Sequence, residues 1–328
     1  MKRRNFFKLS IPAVAGMSIH SCQVNDSSDH RVEDGKLIEK ARQTEIKGRY
    51  DIIICGAGPA GVCSAISAAR SGASILLVEV NGCLGGVWTA GLLSWILDWE
   101  DKEGLLAEIT GKLIKDSGTP ENYQGRNFPF DVEKMKALLE ELCLETGRID
   151  ILLHTRLVDA VRREKDITHI ITESKSGREA WEGEIFIDCS GDGDLAALAG
   201  CEFEMGDPET GLTQPFSMLA MISGVTLNEI EPFVRNNNDM SSKKRLLEQF
   251  TEAGLNPSIK TPGIYPIRND LFMVMFNHVY EKSGIDTRDV TSATIRSRQE
   301  INVLVNGLKS IGGPWKNLYL VATAEHIG

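Results

Sequence analysis

The hydrophobic and polar positions of the chain change their pattern at Tyr50. Residues 23–48 are polar and lack apolar periodicity, which predicts a tether. From Tyr50 the run YDIIIC predicts a buried strand, and GAGPAG predicts a glycine turn. Apolar residues at helical spacing between Val62 and Ala69 predict a helix that Gly72 ends, and SILLVE predicts a second buried strand. Together these segments predict a βαβ unit.

The pattern after this unit argues against a plain nicotinamide dehydrogenase, in which strands and helices keep alternating. Short β-prone runs follow one another over residues 149–189, as is typical of flavoproteins with a strand-rich insertion. Residues beyond 201 show a mixed pattern. The predicted helices after the first unit cover residues 105–115, 132–146, 228–235, 242–253 and 292–311.

Three glycines and one glutamate supply the first candidate chemistry. Gly56, Gly58 and Gly61 match G-x-G-x-x-G between a predicted strand and a predicted helix. Such glycines permit a tight turn, a close approach of the backbone to pyrophosphate, and close packing of helix on strand. Glu79 ends the second strand, where a carboxylate accepts hydrogen bonds from both ribose hydroxyls. The unit therefore predicts an adenine-dinucleotide site, and it does not by itself separate NAD from FAD.

Two later segments bear on the choice of dinucleotide. The loop NGCLGGVWTAG follows Glu79 and is rich in glycine, so that its backbone can pass close to a large planar cofactor. The segment EIFIDCSGDGDLAALAG reads as a strand, a turn and a helix of small residues. Taken alone, it is also compatible with an ordinary strand-turn-helix capped by an aspartate.

These segments, with the ending WKNLYLVATAEHIG, resemble the FAD-dependent oxidoreductase family related to the flavoprotein component of heterodisulfide reductase, within the glutathione-reductase-like fold. The resemblance covers residues 50–328 and implies FAD as cofactor. It implies that the glycine motif and Glu79 hold the ADP half, that Gly85 and Gly86 lie near the pyrophosphate or flavin, and that Leu157 meets the adenine through its backbone. Gly191 and Asp192 would close the site. The predicted FAD site comprises Gly56, Ala57, Gly58, Pro59, Ala60, Gly61, Glu79, Val80, Gly85, Gly86, Leu157, Gly191 and Asp192.

The resemblance and the pattern together predict an α/β protein. Its FAD-binding domain (49–200) is expected to be Rossmann-like, with a parallel sheet and a β-meander insertion. A mixed α+β substrate or cap domain (201–314) is expected next. Residues 315–328 are predicted to form a strand returning to the FAD domain, after which the chain is expected to be truncated.

Charge and cysteine spacing narrow the function classes. The net charge is −10, without a basic stripe carrying aromatic residues, so nucleic acid is not an expected partner. The seven cysteines form no C-x-x-C pair, and no metal site is predicted. Relatives in the resembled group carry iron–sulfur ligands or a redox cysteine pair. Here only Cys83 occupies that neighbourhood, which disfavours disulfide exchange.

The first 22 residues predict a signal peptide. A basic start precedes an apolar run that is too short to span a bilayer. Arg3 and Arg4, followed by NFFK, resemble the twin-arginine motif that exports folded proteins, so a periplasmic location is expected. An ordinary secretory leader is the alternative. Cys22 resembles a lipidation site, although His20 is unusual there, and membrane attachment is expected only by that route.

No catalytic residue is predicted. Trp88, Trp95 and Trp99 are candidates for a flavin wall, with core packing as the default. Five side chains are candidate proton donors or anion clamps, although packing or surface roles are the better default: Arg268, His278, Arg296, Arg298 and His326.

The expected function is transfer of a hydride or electron pair between a small organic substrate and FAD, with an unknown electron acceptor. An NAD-dependent dehydrogenase and a non-catalytic FAD-binding partner protein are the alternatives.

Overall fold

A computed structural model describes residues 31–120, 125, 127–235 and 240–328. The chain divides into two compact units, residues 1–43 and 44–328. The first contains an antiparallel hairpin of β1 (Arg31–Glu33) and β2 (Lys36–Ile38). Its turn residues Asp34 and Gly35 have φ values of 48° and 72°, as a two-residue hairpin turn requires. The predicted tether did not include this hairpin.

The second unit begins with a long strand and alternates strands and helices up to the meander. Its elements are, in chain order, β3 (Ile46–Cys55), α1 (Pro59–Arg70), β4 (Ile75–Val78), β5 (Trp95–Ile96), α2 (Leu105–Lys115), β6 (Phe128–Pro129), α3 (Val132–Glu145), β7 (Ile149–Leu152), β8 (Arg156–Arg163), β9 (Asp166–Ser174), β10 (Gly177–Asp188), α4 (Asp194–Leu198), β11 (Leu219–Ser223), α5 (Leu227–Ile230), α6 (Ser241–Glu252), β12 (Gly263–Arg268), β13 (Leu271–Met275), α7 (Thr287–Ile311) and β14 (Tyr319–Thr323).

The larger sheet has six strands in the order β7-β4-β3-β10-β9-β8. Four neighbouring strands, β7, β4, β3 and β10, run parallel, whereas β9 and β8 are antiparallel and form a meander with β10. This arrangement confirms the predicted fold class of a Rossmann-like parallel sheet joined to a β-meander. Strand β4 and the last residues of β3 are continuous apolar runs because both of their faces are buried. Ile54 and Leu77 enter one core, and Ile53 and Leu76 enter the other.

A second sheet, β12-β13-β11-β14, is entirely antiparallel. Alternate residues of its strands belong to two different cores, because successive side chains point to opposite faces. Met221 and Met273 pack with the core of the first sheet, while Ile222 and Phe272 pack with residues of α6 and α7. The sheet therefore lies between the helices of the second half and the cofactor-side half.

Two predicted helices differ from the structure for local reasons. The helix predicted over residues 228–235 is a single α turn, α5, followed by a 3₁₀ turn over Glu231–Phe233. Pro232 lacks an N–H and cannot donate to the carbonyl four residues before it, so the α-helix stops. Helix α7 begins five residues earlier than predicted, since the side chain of Asp286 accepts hydrogen bonds from the N–H groups of Arg288 and Asp289.

Both ends of the second unit depend on long-range strand pairing. Strand β3 starts at Ile46, inside the predicted tether, because Ile46 pairs with Ala180 of β10. Strand β14 pairs with β11 in the second sheet. The residues after it reach the glycine-rich loop that follows Glu79, since the N–H groups of Glu325 and His326 donate to the carbonyl of Ala90.

Candidate functional site

The carboxyl ends of three parallel strands meet at one level of the large sheet. Cys55 of β3 pairs with Val78 of β4 on one side and with Asp188 of β10 on the other. Loops that follow such strand ends surround a crevice, which is where open α/β sheets bind ligands. A cleft of about 490 Å³ lies here.

The glycine turn after β3 is shaped by contacts that exclude side chains. Gly56 has a φ of 95°, and a Cβ on it would collide with the carbonyl oxygen of Cys189. A Cβ on Gly61 would collide with the carbonyl oxygen of Gly56. Gly58 lines the cleft, and a Cβ there would meet no atom within 4 Å. Gly56 and Gly61 are thus required for packing, whereas Gly58 leaves room for a ligand.

Helix α1 begins at the cleft with an N-terminus suited to an anion. No side chain caps the helix, its first turn contains no acidic residue, and Pro59 supplies no N–H. The N–H of Val62 bonds the carbonyl of Gly58, which closes the first helical turn. Free N–H groups and the helix dipole at such an end favour a phosphate. Pro59 and Ala60 line the cleft beside it.

Glu79 is held more tightly than the sequence suggests. Its side chain is buried (4% exposed) yet lines the cleft. One carboxylate oxygen accepts the backbone N–H of Ala57 at 2.7 Å. The other accepts the N–H of Asn81 at 2.8 Å and the side-chain amide of Asn81 at 2.7 Å. A carboxylate has about four acceptor positions, so about one remains for a ribose hydroxyl.

The double glycine of the following loop contacts the glycine turn directly. The N–H of Gly85 donates to the carbonyl of Ala57 at 2.8 Å, so Glu79 and Gly85 fix both backbone groups of Ala57. Gly86 lines the cleft with a φ of 50°, and a Cβ on it would lie 2.8 Å from the Cα of Gly58. Ala57 itself is fully buried, and Gly85 holds the loop without lining the cleft.

Asp188 organises the turn after β10. One of its carboxylate oxygens accepts the N–H of Ser190 at 3.0 Å and the Ser190 hydroxyl at 2.6 Å. The other accepts the N–H of Ala196 at 2.8 Å. The hydroxyl oxygen of Ser190 accepts the N–H of Asp194 at 2.7 Å. These bonds join β10 to α4 and hold Ser190 and Gly191 at the cleft.

The adenosine side of the predicted site is formed by the start of the meander. Leu157 lines the cleft together with Val80, Thr155 and Arg156. The N–H of Thr155 donates to the carbonyl of Glu79 at 2.9 Å, which connects β8 to the end of β4. Asp192, predicted to close the FAD site, lines a neighbouring cleft instead.

Burial sets the charge state of the groups around the turn. Burial raises the pKa of Cys55 to about 12, and it also raises the pKa of the Cys189 thiol. Both cysteines therefore stay protonated at neutral pH and are poor nucleophiles. Burial is the main cause that raises the pKa of Asp194, followed by the nearby carboxylates of Asp192 and Asp188, while Arg156 opposes the increase.

One of the candidate donors reaches the cleft: His326 lines it. Arg268 pairs with Asp131 and Asp270, each at 3.2 Å. His278 bonds the hydroxyl of Ser217 at 2.8 Å, and burial lowers its pKa. Arg298 donates to Thr323 and Ala324 at the end of β14. No described contact gives Arg296 a role in the site.

The remaining candidates are packing residues. Each of the three tryptophans packs edge-on or tilted against an aromatic ring of the core, and the Cys83 thiol lies 3.6 Å from the hydroxyl oxygen of Thr89. The ring pairs are Trp88 with Phe130, Trp95 with Tyr265 and Trp99 with Phe128. Core packing was the default prediction for these rings, and it is confirmed.

Sequence reasoning missed several residues that line the cleft. Most of them flank a predicted residue by one or two positions, which was the available signal. A second sequence signal was available for Asp188, since it directly precedes the turn Cys-Ser-Gly-Asp. The missed residues are Cys55, Val78, Asn81, Val87, Thr155, Arg156, Asp188, Cys189, Ser190 and Asp194.

A family model described as FAD dependent oxidoreductase matches residues 51–328. The chain belongs to this family. FAD is therefore its cofactor, and the predicted cofactor is confirmed. The open space at Gly58, the uncapped N-terminus of α1 and the free acceptor position of Glu79 fit a dinucleotide with a pyrophosphate and a ribose diol.

Solved structures share the fold at low sequence identity. A geranylgeranyl bacteriochlorophyll reductase-like protein from Thermoplasma acidophilum matches with a TM-score of 0.53 and 12% identity, over 85% of this chain and 66% of that one. p-Nitrophenol 4-monooxygenase from Pseudomonas putida matches with a TM-score of 0.50 and 10% identity, over 86% of this chain and 67% of that one. At these identities the likeness concerns the fold alone.

Among curated proteins, thiamine thiazole synthase from Aeropyrum pernix is 50% identical over 44 residues, which are 13% of this chain and 16% of that enzyme. The chain thus spans a small part of this relative and about two thirds of the two solved structures. The finer resemblance to glutathione reductase and to heterodisulfide reductase stays a prediction.

Within the described residues, no group of three or more metal-ligating side chains is close enough to hold a metal ion. The same part of the chain contains no helix with the length and apolar character needed to cross a bilayer.

Proposed function

We propose that this protein uses FAD to remove a hydride or electron pair from a small organic substrate and passes the electrons to a separate acceptor. The observation that carries the proposal is the convergence of six chain segments on one cleft at the carboxyl edge of a parallel sheet. These segments contain Gly58, Glu79, Gly86, Leu157, Ser190 and His326. When bound, FAD supplies the two-electron chemistry, for which the amino acid side chains have no equivalent.

The chain's own groups support the binding of the ADP half. Glu79 is positioned by Ala57 and Asn81 to accept a ribose hydroxyl. The start of α1 offers backbone N–H groups and a positive dipole end to the pyrophosphate. Leu157 and Val80 add apolar surface on the adenosine side. These residues would hold the cofactor and orient it without taking part in the redox step.

His326 is our candidate for a proton donor or acceptor at the cleft. An imidazole can both donate and accept a proton, which suits proton transfer. The hydrogen bond from its backbone N–H to Ala90, together with the anchoring of Ala324 by Arg298, fixes the chain on which it stands.

The test is a titration of the purified protein with FAD, followed by anaerobic addition of candidate substrates while the flavin absorbance is recorded. We expect stoichiometric FAD binding and bleaching of the flavin by at least one organic substrate. Firm binding of NADH with no flavin would support an NAD-dependent dehydrogenase. Bound flavin that a chemical reductant and all substrates leave unchanged would support a non-catalytic FAD-binding protein.

We also propose export to the periplasm in the folded, FAD-loaded state. The support is the sequence alone: Arg3 and Arg4 before a short apolar run. These residues lie outside the described part of the chain, as does Cys22.

A further inference from the structure

A second cleft of about 600 Å³ lies beside the first, on the adenosine side. The two clefts share Arg156, Leu157, Gly191 and Asp194. The second one continues along α4 and the segment after it, away from the glycine turn. Its volume lies within the range of sites that hold small organic ligands, about 300–1,000 Å³.

The outer wall of this cleft is an exposed apolar surface. Phe203 is 67% exposed, Ile285 61% and Met205 50%, and Leu198 of α4 lies beside them. Single exposed apolar side chains are ordinary, but several that line one cleft mark an interaction site. Four such residues from three separate segments surround this cleft.

A hydrogen-bonded turn at residues 207–212 follows Phe203 and Met205. The side chain of Asp207 accepts the N–H groups of Glu209 and Thr210 and the Thr210 hydroxyl. Backbone bonds also join Asp207 to Gly211 and Leu212. This turn restrains the chain directly after Met205, which reduces the entropy that a ligand must overcome there on binding.

The charges in the cleft favour a cation. Three carboxylates line it, from Asp192, Asp194 and Glu204, against the single guanidinium of Arg156. Burial is the main cause that raises the pKa of Asp194, and the nearby carboxylates of Asp192 and Asp188 raise it further. An ammonium group would relieve this repulsion, and Phe203 offers it an aromatic face.

We propose that the second cleft binds a small organic cation with an apolar body, such as an aromatic amine in its ammonium form. The apolar body would cover Phe203, Met205 and Ile285, and the ammonium would face the carboxylates. This site does not require the redox reaction, and it adjoins the FAD cleft through four shared residues. Binding of the cation and of FAD is therefore expected to be coupled, equally in both directions.

The test is calorimetric titration of the FAD-loaded protein with 3-phenylpropylamine, compared with 3-phenylpropanol as the neutral analogue. We expect saturable one-site binding of the amine, about tenfold tighter than of the alcohol. Phe203→Ser and Glu204→Gln should each weaken the affinity for the amine by about fivefold or more. FAD content is measured in every variant, so loss of this site is distinguishable from failure of the proposed flavin function.

Two matched controls lie on the same segment outside the cleft. Leu212 is 52% exposed and Glu202 is exposed, and neither lines the cleft. Leu212→Ser and Glu202→Gln should bind the amine as the parent does. Equal affinity for amine and alcohol, no saturable binding, or equal losses in the control variants would overturn the proposal. So would self-association through Phe203 that the amine does not reverse, since a second copy would then be the occupant.

Discussion

The carboxylate of Glu79 accepts the backbone N–H of Ala57 at 2.7 Å, so the residue predicted to recognise ribose also fixes the glycine turn. Ala57 is in turn bonded through its carbonyl to Gly85 of the next loop. Three segments of the cleft therefore depend on one another before any cofactor binds. This dependence distinguishes a residue that only contacts FAD from one that also shapes its site.

Replacing Glu79 should consequently affect both stability and cofactor binding. In Glu79→Ala, the buried N–H of Ala57 loses its acceptor, at a cost of about 1–3 kcal/mol. We expect a lower free energy of unfolding for the apoprotein, measured by urea denaturation, and FAD affinity weakened about tenfold or more. Glu103→Ala, an exposed glutamate outside the cleft, is the control. An unchanged apoprotein stability would limit Glu79 to cofactor recognition.

Gly86→Ala tests the contact between the two glycine loops. The new Cβ would lie 2.8 Å from the Cα of Gly58, and the φ of 50° adds strain of about 1–2 kcal/mol. Gly147→Ala is the control, since Gly147 also has a positive φ, of 62°, but its Cβ would meet no atom within 4 Å. We expect both variants to lose stability and only Gly86→Ala to lose FAD affinity, measured by fluorescence titration. Equal FAD affinity in the two variants would contradict this role of Gly86.

Asp194 and Asp207 should respond to pH with opposite signs. Burial raises the folded-state pKa of Asp194, so the parent loses stability as pH rises from the unfolded pKa through the folded one. Asp194→Asn should thus stabilise the apoprotein at neutral pH and have little effect at acid pH. Hydrogen bonds from Thr210, followed by Glu209, lower the folded-state pKa of Asp207. Asp207 therefore contributes to the free energy of unfolding at pH values above its unfolded-state pKa. This contribution disappears as the pH falls through its folded-state pKa.

Asp207→Asn should therefore destabilise the protein at neutral pH, with a difference that shrinks in acid. Thermal unfolding of the parent and both variants at neutral and acid pH measures the two effects. Shifts of the same sign in both variants would show that burial does not dominate at Asp194.

Export should depend on the paired arginines. Replacing Arg3 and Arg4 by lysine keeps the positive charge but removes the residues that the twin-arginine route recognises. We expect the variant to accumulate inside the cell, measured by fractionation and immunoblotting. Undiminished export would indicate an ordinary secretory leader.

Local sequence signals determined the first part of the cofactor site. The apolar run before Gly56, the glycine spacing and the helical pattern that follows depend on contacts between near neighbours, so β3, α1 and β4 were predictable. Helices α2 and α3 were predicted almost to the residue for the same reason. The strand-rich meander also follows from a local pattern, the alternation within short runs.

Only the tertiary structure decided which distant segments complete the cleft. Asp188 and Ser190 reach it because β10 pairs with β3, and His326 reaches it because the residues after β14 bond Ala90. Asp192, two residues after Ser190, faces a different cleft. Strand order and the direction of a loop are fixed by pairings between residues far apart in sequence. The loop-closure entropy that such a pairing costs, and the free energy that it gains, leave no periodic pattern in the sequence. The sequence therefore identified the cofactor, while long-range strand pairing determined which other side chains surround its site.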